Sequence, residues 1–344
     1  MKRIRVMVTG AGGPAGMGTI KSLLGLKDID VVAADMNPLA AGLYWTAHRV
    51  VVPPVGARDF IPRMLGIVKR EKIDVIFPTV DEEIEPLAAN IEKFKRVTNI
   101  LISPIGSVRI CTDKLATFET CMKLHLPVVE TKKIRREKDL NGAADKFGFP
   151  LAIKPMVSRG GRGLFYCKDM NELKTRYREL KKKLPFSDTY YEPVASRKII
   201  CQEHLPGIEY DVVALRDKKG KIIANVPMRA EEWDVKAQRR TIITEHSREA
   251  MTLAGKIMDG FDLHGPVDIE MKKDRNGVLK VLDLNPRVGG DVELATAAGC
   301  NIPLLTVRIA MGGKVRHADF TDDYMLIRYL GIQTMKKSDV PSGE

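Results

Sequence analysis

Four short, mostly apolar runs govern the first hundred residues: Val6-Met7-Val8, Ile29–Asp35, Val50-Val51-Val52 and residues 73–77. Helix-like stretches lie between them. In the clearest, near residues 58–71, Phe60, Met64 and Val68 fall at i, i+4 and i+8, with Ile61 and Leu65 beside them. A run that is apolar on both alternating faces has to be buried on both. Short runs of this kind separated by helices build a parallel sheet with helices on each side. This first unit is expected to end near residue 110. Thr9-Gly10 breaks the first apolar run after three residues, so it reads as a strand rather than a signal peptide. No stretch approaches the ~20 apolar residues of a bilayer-crossing helix, so no membrane contact is expected.

The texture then changes. Residues 113–125 read as a helix, with Asp113 near its start and Leu115, Phe118, Met122 and Leu126 along its apolar stripe. From 127 to 205 the strands are shorter, with loops at 156–163 and 184–188 and a basic helix between them. From 206 onward the strands read as antiparallel. Residues 210–216 and 221–226 flank the tip Lys218-Lys219-Gly220, and residues 266–271 and 278–285 flank a second tip. Helices near 246–259 and 302–311 are expected to cover this sheet, and residues 335–344 read as a loose tail.

Charge and cysteines bound the function classes. The 56 Lys and Arg exceed the 44 Asp and Glu, giving +12. Nucleic-acid binding and a solvated basic face both accommodate that excess. The basic runs show no basic–aromatic interleaving of the stacking kind, which favours the solvated face and argues against a nucleic-acid partner. The five cysteines are odd in number and lack C-x-x-C spacing. Neither a disulfide framework nor a Cys-rich zinc site is expected, and a reducing cytoplasm fits.

Between the first strand and the first helix runs Gly10-Ala11-Gly12-Gly13-Pro14-Ala15-Gly16, and Asp35 closes the second strand. The pattern invites a dinucleotide reading. Its spacing is one residue longer than the usual fingerprint, however, and Pro14 removes an amide from any phosphate cradle. Three readings stand here: a tight strand-to-helix turn, a substrate-binding loop, or a NAD site.

Four further pieces fit one task, holding a nucleotide triphosphate with magnesium. Lys154 ends an apolar strand and is followed by Ser158-Arg159-Gly160-Gly161-Arg162-Gly163, a loop of free backbone amides and positive charge. Gln202 and Glu203 end another strand before the Pro206-Gly207 turn, after which Glu209 opens the next. A hinge of this kind can offer backbone groups to an adenine edge and a carboxylate to a ribose. Period-two alternation puts Asp268 with Glu270, and Asp283 with Asn285, on common faces, while Val267, Ile269, Leu282 and Leu284 point the other way. If the two strands pair, hard oxygen donors converge where a magnesium ion would offset their burial. Arg287 follows, placed to steady negative charge on a group in transit.

The chain resembles the ATP-grasp superfamily, in particular the carbamoyl-phosphate-synthase-like carboxylate–amine ligases. The likeness rests on DK at 113–114, AIKPMVSRGGRG, QEHLPGIEYDV, GPVDIEM and LDLNPRVGG. It implies an α/β architecture, with a pre-ATP-grasp Rossmann-like domain at 1–110 and a linker helix with the lid subdomain at 111–205. The large subdomain with the metal site would take 206–334, before a tail. It further implies that Lys114 and Lys154 hold ATP phosphates beneath a lid of Ser158, Gly160, Gly161 and Gly163. Glu203 and Leu205 would face adenine, and Glu209 the ribose. Glu270, Asp283 and Asn285 would bind two Mg²⁺ ions, for which Mn²⁺ could substitute. Arg287 and Lys154 would be the catalytic pair, and Arg229, Arg239 and Arg287 the clamps on the acceptor carboxylate. The implied activity is ATP-dependent activation of a small-molecule carboxylate as an acyl phosphate, followed by attack of an amine, in a homodimer. One such unit without a glutamine-hydrolysing part leaves two alternatives open: a bicarbonate or carbamate kinase, and a non-catalytic NAD or ATP binder.

Overall fold

The computed structural model describes residues 3–157, 161, 163–182, 198–233, 239–329 and 331–340, with only the backbone of 232–233 and 239–240. They form two compact units. One comprises the chain up to Val108, Asp211–Ile269 and the residues from Asn285 onward; the other comprises Arg109–Tyr210 and Glu270–Leu284.

The first unit opens with the expected α/β layering: β1 (Ile4–Val8), α1 (Pro14–Leu23), β2 (Ile29–Asp35), β3 (His48–Val51), α2 (Phe60–Arg70), β4 (Val75–Phe77), α3 (Asp81–Ala89), α4 (Ile91–Phe94), β5 (Asn99–Ile100) and α5 (Ile105–Thr112). The strands pair in parallel in the order β3-β2-β1-β4-β5. The two faces of β1 divide its side chains as the unbroken apolar run requires. Met7 packs with Val32, Ile76 and the α2 residues Phe60, Met64 and Val68, whereas Val6 and Val8 join a second core with Ile20, Val31, Val213 and Val288. Strand order reverses between β1 and β4, and at such a point the loops leaving the carboxyl ends of the strands open a crevice.

The second unit holds α6 (Lys114–Lys123), β6 (Thr131–Ile134), α7 (Asp139–Phe147), β7 (Leu151–Pro155), β8 (Phe165–Cys167), α8 (Met170–Lys182) and β9 (Ile199–Glu203). Its antiparallel sheet runs β6-β9-β7-β8. One face of it, with Leu151, Ile153 and Cys201, buries Leu140 and Phe147 of α7 and Leu173, Tyr177 and Leu180 of α8. A six-stranded sheet of order β14-β13-β10-β11-β12-β15 contains β10 (Glu209–Arg216), β11 (Ile222–Trp233), β12 (Arg239–Thr244), β13 (Gly265–Lys273), β14 (Leu279–Asn285) and β15 (Met325–Ile327). Strands β10, β13 and β14 each run from one unit into the other. The expected helices are present as α9 (Arg248–Gly260) and α11 (Ile302–Ala310), with the short α10 (Val292–Ala297) before the latter.

Candidate functional site

The β7 alternation that sends Ile153 into the helical core turns Lys154 to the opposite face, where it is 7% exposed. Asp113 caps α6 by accepting the N–H groups of Leu115 (2.9 Å) and Ala116 (3.1 Å), which fixes Lys114 in the first turn. The Lys114 ammonium lies 2.5 Å from Asp283 Oδ2, a pair with side chains 8% and 18% exposed. Lys154 feels the same group of charges. Burial, then the neighbouring Lys114, pulls its ammonium down from 10.5 to about 8, against the opposing pull of Asp283 and Glu270. Within this unit, then, the structure brings together Lys114, Lys154, Asp283 and Glu270.

At the hinge, Glu203 Oε1 accepts the Glu130 N–H (2.9 Å) and the Lys280 ammonium (2.7 Å), while the Glu203 N–H donates to the Glu130 carbonyl. Leu205 is buried. Glu209, 7% exposed, sits 3.2 Å from Lys272 Nζ. The rings of Tyr166 and His204 meet edge to face at 5.3 Å beside this hinge. Burial, then Glu209 and Glu270, pushes the Tyr166 phenol up. Of the expected lid, Gly161 and Gly163 have positive φ (67° and 71°), which suits a loop bringing its amides close to a ligand. Ser158 and Gly160 lie outside the described residues.

In the other unit Asp268, 3% exposed, is the residue that joins Asn285 and Arg287: Oδ2 accepts from Asn285 Nδ2 at 3.2 Å and from Arg287 Nη1 at 2.9 Å. Gly289 packs against this carboxylate so closely that a Cβ there would lie 2.7 Å from Oδ1. Asp81, at the start of α3, grips the other side of Arg287, with Nε to Oδ1 at 2.7 Å and Nη2 to Oδ2 at 3.3 Å. The two carboxylates hold the guanidinium firmly charged despite its burial. Arg229, on β11, is paired with Glu245 (2.5 Å) and Glu231. The Arg239 side chain lies outside the described residues.

The glycine-rich turn has the geometry of a tight connection. Gly10 adopts φ +64°, Gly13 N–H donates to its carbonyl at 2.9 Å, and a Cβ on Gly16 would come within 2.0 Å of the same oxygen. Asp35 accepts the N–H groups of Gly12 (2.8 Å) and Asn37 (2.9 Å), so the acid that suggested a ribose ligand braces this turn. His246 stacks on Phe320 at 3.9 Å and pairs with Asp319 and Asp322, which is a packing role.

Sequence reasoning did not single out Asp81, Tyr166, Lys272 or Lys280. Lys272 had a usable signal, since it continues the Asp268–Glu270 alternation onto the same face; Lys280 lies in an alternating strand too, but on the face of Leu282 and Leu284, opposite Asp283 and Asn285, and Asp81 and Tyr166 carried no such mark. No three His, Cys, Asp or Glu side chains form a ready metal cluster among the described residues. The donors at hand are carboxylate and amide oxygens, a set that suits a hard divalent cation, and in this structure Lys114 and Arg287 supply the positive charge against two of them.

Comparison with known proteins bears on the family and the fold. Residues 195–333 match the family model described as ATP-grasp in the biosynthetic pathway with Ter operon, and residues 18–102 match PylC-like, N-terminal domain. The N-terminal section of the carbamoyl phosphate synthase large chain of Methanopyrus kandleri is 25% identical over 305 residues, covering 83% of this chain. This chain spans about half the length of that relative, 51%. Among solved structures, the biotin carboxylase domain of Hydrogenobacter thermophilus 2-oxoglutarate carboxylase, in complex with MgADP and bicarbonate, superposes with TM-score 0.76 at 16% identity, over 94% of this chain and 74% of that one. N5-carboxyaminoimidazole synthetase from Staphylococcus aureus with ADP gives TM-score 0.74 at 16% identity, over 96% and 83%. Among the described residues, no helix is long and apolar enough to cross a membrane.

Proposed function

The chain is an ATP-grasp protein of the carbamoyl-phosphate-synthase-like kind, and from that premise we propose an ATP- and Mg²⁺-dependent ligase that activates a carboxylate as an acyl phosphate and joins it to an amine. The observation that carries this reading is the charged group of Lys114, Lys154, Asp283 and Glu270, in which both lysines are buried. Two buried lysines beside two part-buried acids are poised for a ligand that bears both phosphate and metal charge. Lys114 and Lys154 bind the phosphates beneath the glycine loop of Ser158, Gly160, Gly161 and Gly163. Glu203 and Leu205 line the base, and Glu209 takes the ribose hydroxyls. Glu270, Asp283 and Asn285 hold the metal, with Asp268 as a further oxygen donor beside Asn285. Magnesium, when bound, supplies charge neutralisation between the phosphates. Arg287 steadies the oxygens of the transferring group and of the acyl acceptor, while Arg229 and Arg239 are assigned to the acceptor's carboxylate. The chemistry needs positioning and countercharge rather than a protein nucleophile, which suits this donor set. Segments 1–110, 111–205 and 206–334 are the proposed working parts, acting in the cytoplasm as a homodimer.

The test is a screen of carboxylate and amine pairs with MgATP, read by phosphate release. A pair that multiplies release severalfold, with Asp283→Ala abolishing it, supports the ligase. Bicarbonate alone sustaining turnover would favour the kinase reading, for which the synthase relative argues. Nucleotide binding without turnover across the screen would refute both.

A further inference from the structure

Arg287 has five N–H groups, and four of them are already directed. Nε donates to Asp81 Oδ1, Nη2 to Asp81 Oδ2, and Nη1 to both Asp268 Oδ2 and the Val288 carbonyl. Among the described residues this leaves one N–H, on Nη2, for a ligand. A guanidinium held on both edges by carboxylates cannot rotate about its last bonds, so that remaining donor points in one direction.

The grip on the Nε edge comes from far away in the chain. Asp81 lies 206 residues before Arg287, at the start of α3, directly after the loop that leaves β4 where the parallel sheet reverses its order. That loop is itself pinned. Glu83 Oε1 accepts the Thr9 hydroxyl and the N–H groups of Thr79 (3.1 Å) and Val80 (3.0 Å), and the Thr79 hydroxyl donates to the Thr9 carbonyl at 2.7 Å. The backbone on either side of Asp81 is therefore tied to the end of β1.

We infer that Asp81 is a positioning residue for the ligase reaction, holding Arg287 so that its single uncommitted N–H meets the transferring group. The inference rests on the function proposed above. Charge bookkeeping separates positioning from binding: two carboxylates around one guanidinium leave this cluster net negative, so removing Asp81 adds positive charge and does not weaken attraction for a polyphosphate. What is lost is orientation, where a displacement of about 1 Å can cost on the order of 100-fold in rate.

The experiment compares Asp81→Ala, Asp81→Asn and wild type in the full chain. ATP turnover, basal or with an acceptor pair from the screen, is expected to lose roughly 10- to 100-fold in kcat in Asp81→Ala, with KM for ATP within about twofold. Asp81→Asn, which keeps one acceptor at the same size, should fall between, and it serves if the alanine variant does not fold. Wild-type kcat in both variants, or a loss confined to KM, would overturn the inference. A second readout needs no turnover: the ¹⁵N signal of the Arg287 Nε–H, identified by its loss in Arg287→Lys, should exchange slowly with water in wild type and rapidly in Asp81→Ala. Equal protection in the two refutes positioning whether or not the chain is a ligase. Absence of turnover in wild type refutes the ligase and leaves this measurement to decide the grip.

Discussion

Lys154 allows a prediction whose size follows from its surroundings. Its ammonium is buried at 7% exposure and titrates near 8 instead of 10.5, burial being the larger cause and Lys114 the next. The difference, 10.5 minus 8, corresponds to about 3 kcal/mol between charged and neutral forms. A nucleotide's phosphates favour the charged form. Below pH 8 the lysine is already charged and the affinity for MgADP should be flat. Above it, binding must take up a proton, so Kd should rise up to about tenfold per pH unit until the pKa of the complex is reached. The unliganded protein should behave oppositely. Between about 8 and 10.5 the unfolded chain binds the proton that the folded chain has released, so folding stability should rise with pH through that window. Calorimetric titration with MgADP from pH 7 to 9.5, in two buffers of different ionisation heat, reads both Kd and proton uptake. Lys154→Met should abolish the slope. An affinity independent of pH above 8, or the same slope in Lys154→Met, would refute the reasoning.

Lys114→Met should weaken MgADP binding yet strengthen nucleotide-free Mn²⁺ binding, measured by electron paramagnetic resonance, because it uncovers Asp283; lost or unchanged Mn²⁺ affinity would count against the shared cluster. Breaking that buried pair should also cost about 3–5 kcal/mol of stability in metal-free urea unfolding. Burial pushes the Glu83 carboxyl up to about 7, so the folded chain binds more protons than the unfolded chain between 4.5 and 7. Stability should then fall by about 3 kcal/mol as pH rises across that range, and urea midpoints at pH 5 and 7 should converge in Glu83→Gln. Gly16→Ala, whose Cβ would meet the Gly10 carbonyl at 2.0 Å, should destabilise by about 2–3 kcal/mol. Gly66→Ala, in open space on α2, should stabilise by about 0.5–1 kcal/mol, and thermal melts of the two variants should move in opposite directions.

What could be read from the chain alone was whatever local periodicity encodes. The apolar runs of β1 and β2 required two-sided burial, the 3.6-residue stripe of α2 required one, and the alternation at 268–270 and 283–285 put the acids on common faces. Alternation assigns a face, however, and not a neighbour. Asp268 and Glu270 were equivalent by that criterion, yet Asp268 bonds Asn285 and Arg287, while Glu270 acts on Lys154 and Tyr166. Pairings such as Asp81 with Arg287 join segments that share no local pattern, and only the folded backbone brings them into register. The glycine turn stayed open among three readings for a related reason. Tight strand-to-helix connections and phosphate cradles both require glycine, and the difference lay in Asp35, whose oxygens are taken up by Gly12 and Asn37.

The Asp81–Arg287 grip has a consequence for anyone dissecting this protein into parts. A fragment trimmed to begin after residue 108 would retain every lysine assigned to the nucleotide, but it would release the Nε edge of Arg287 and, among the described residues, leave Asp268 as that guanidinium's one carboxylate. It would also lose the core that Val6, Val8 and Ile20 share with Val213 and Val288, so chemistry and fold would fail together. The opening hundred residues would then act as a fixture for the reaction centre, and exchanging them for a homologous segment should succeed only where an acid occupies the position of Asp81.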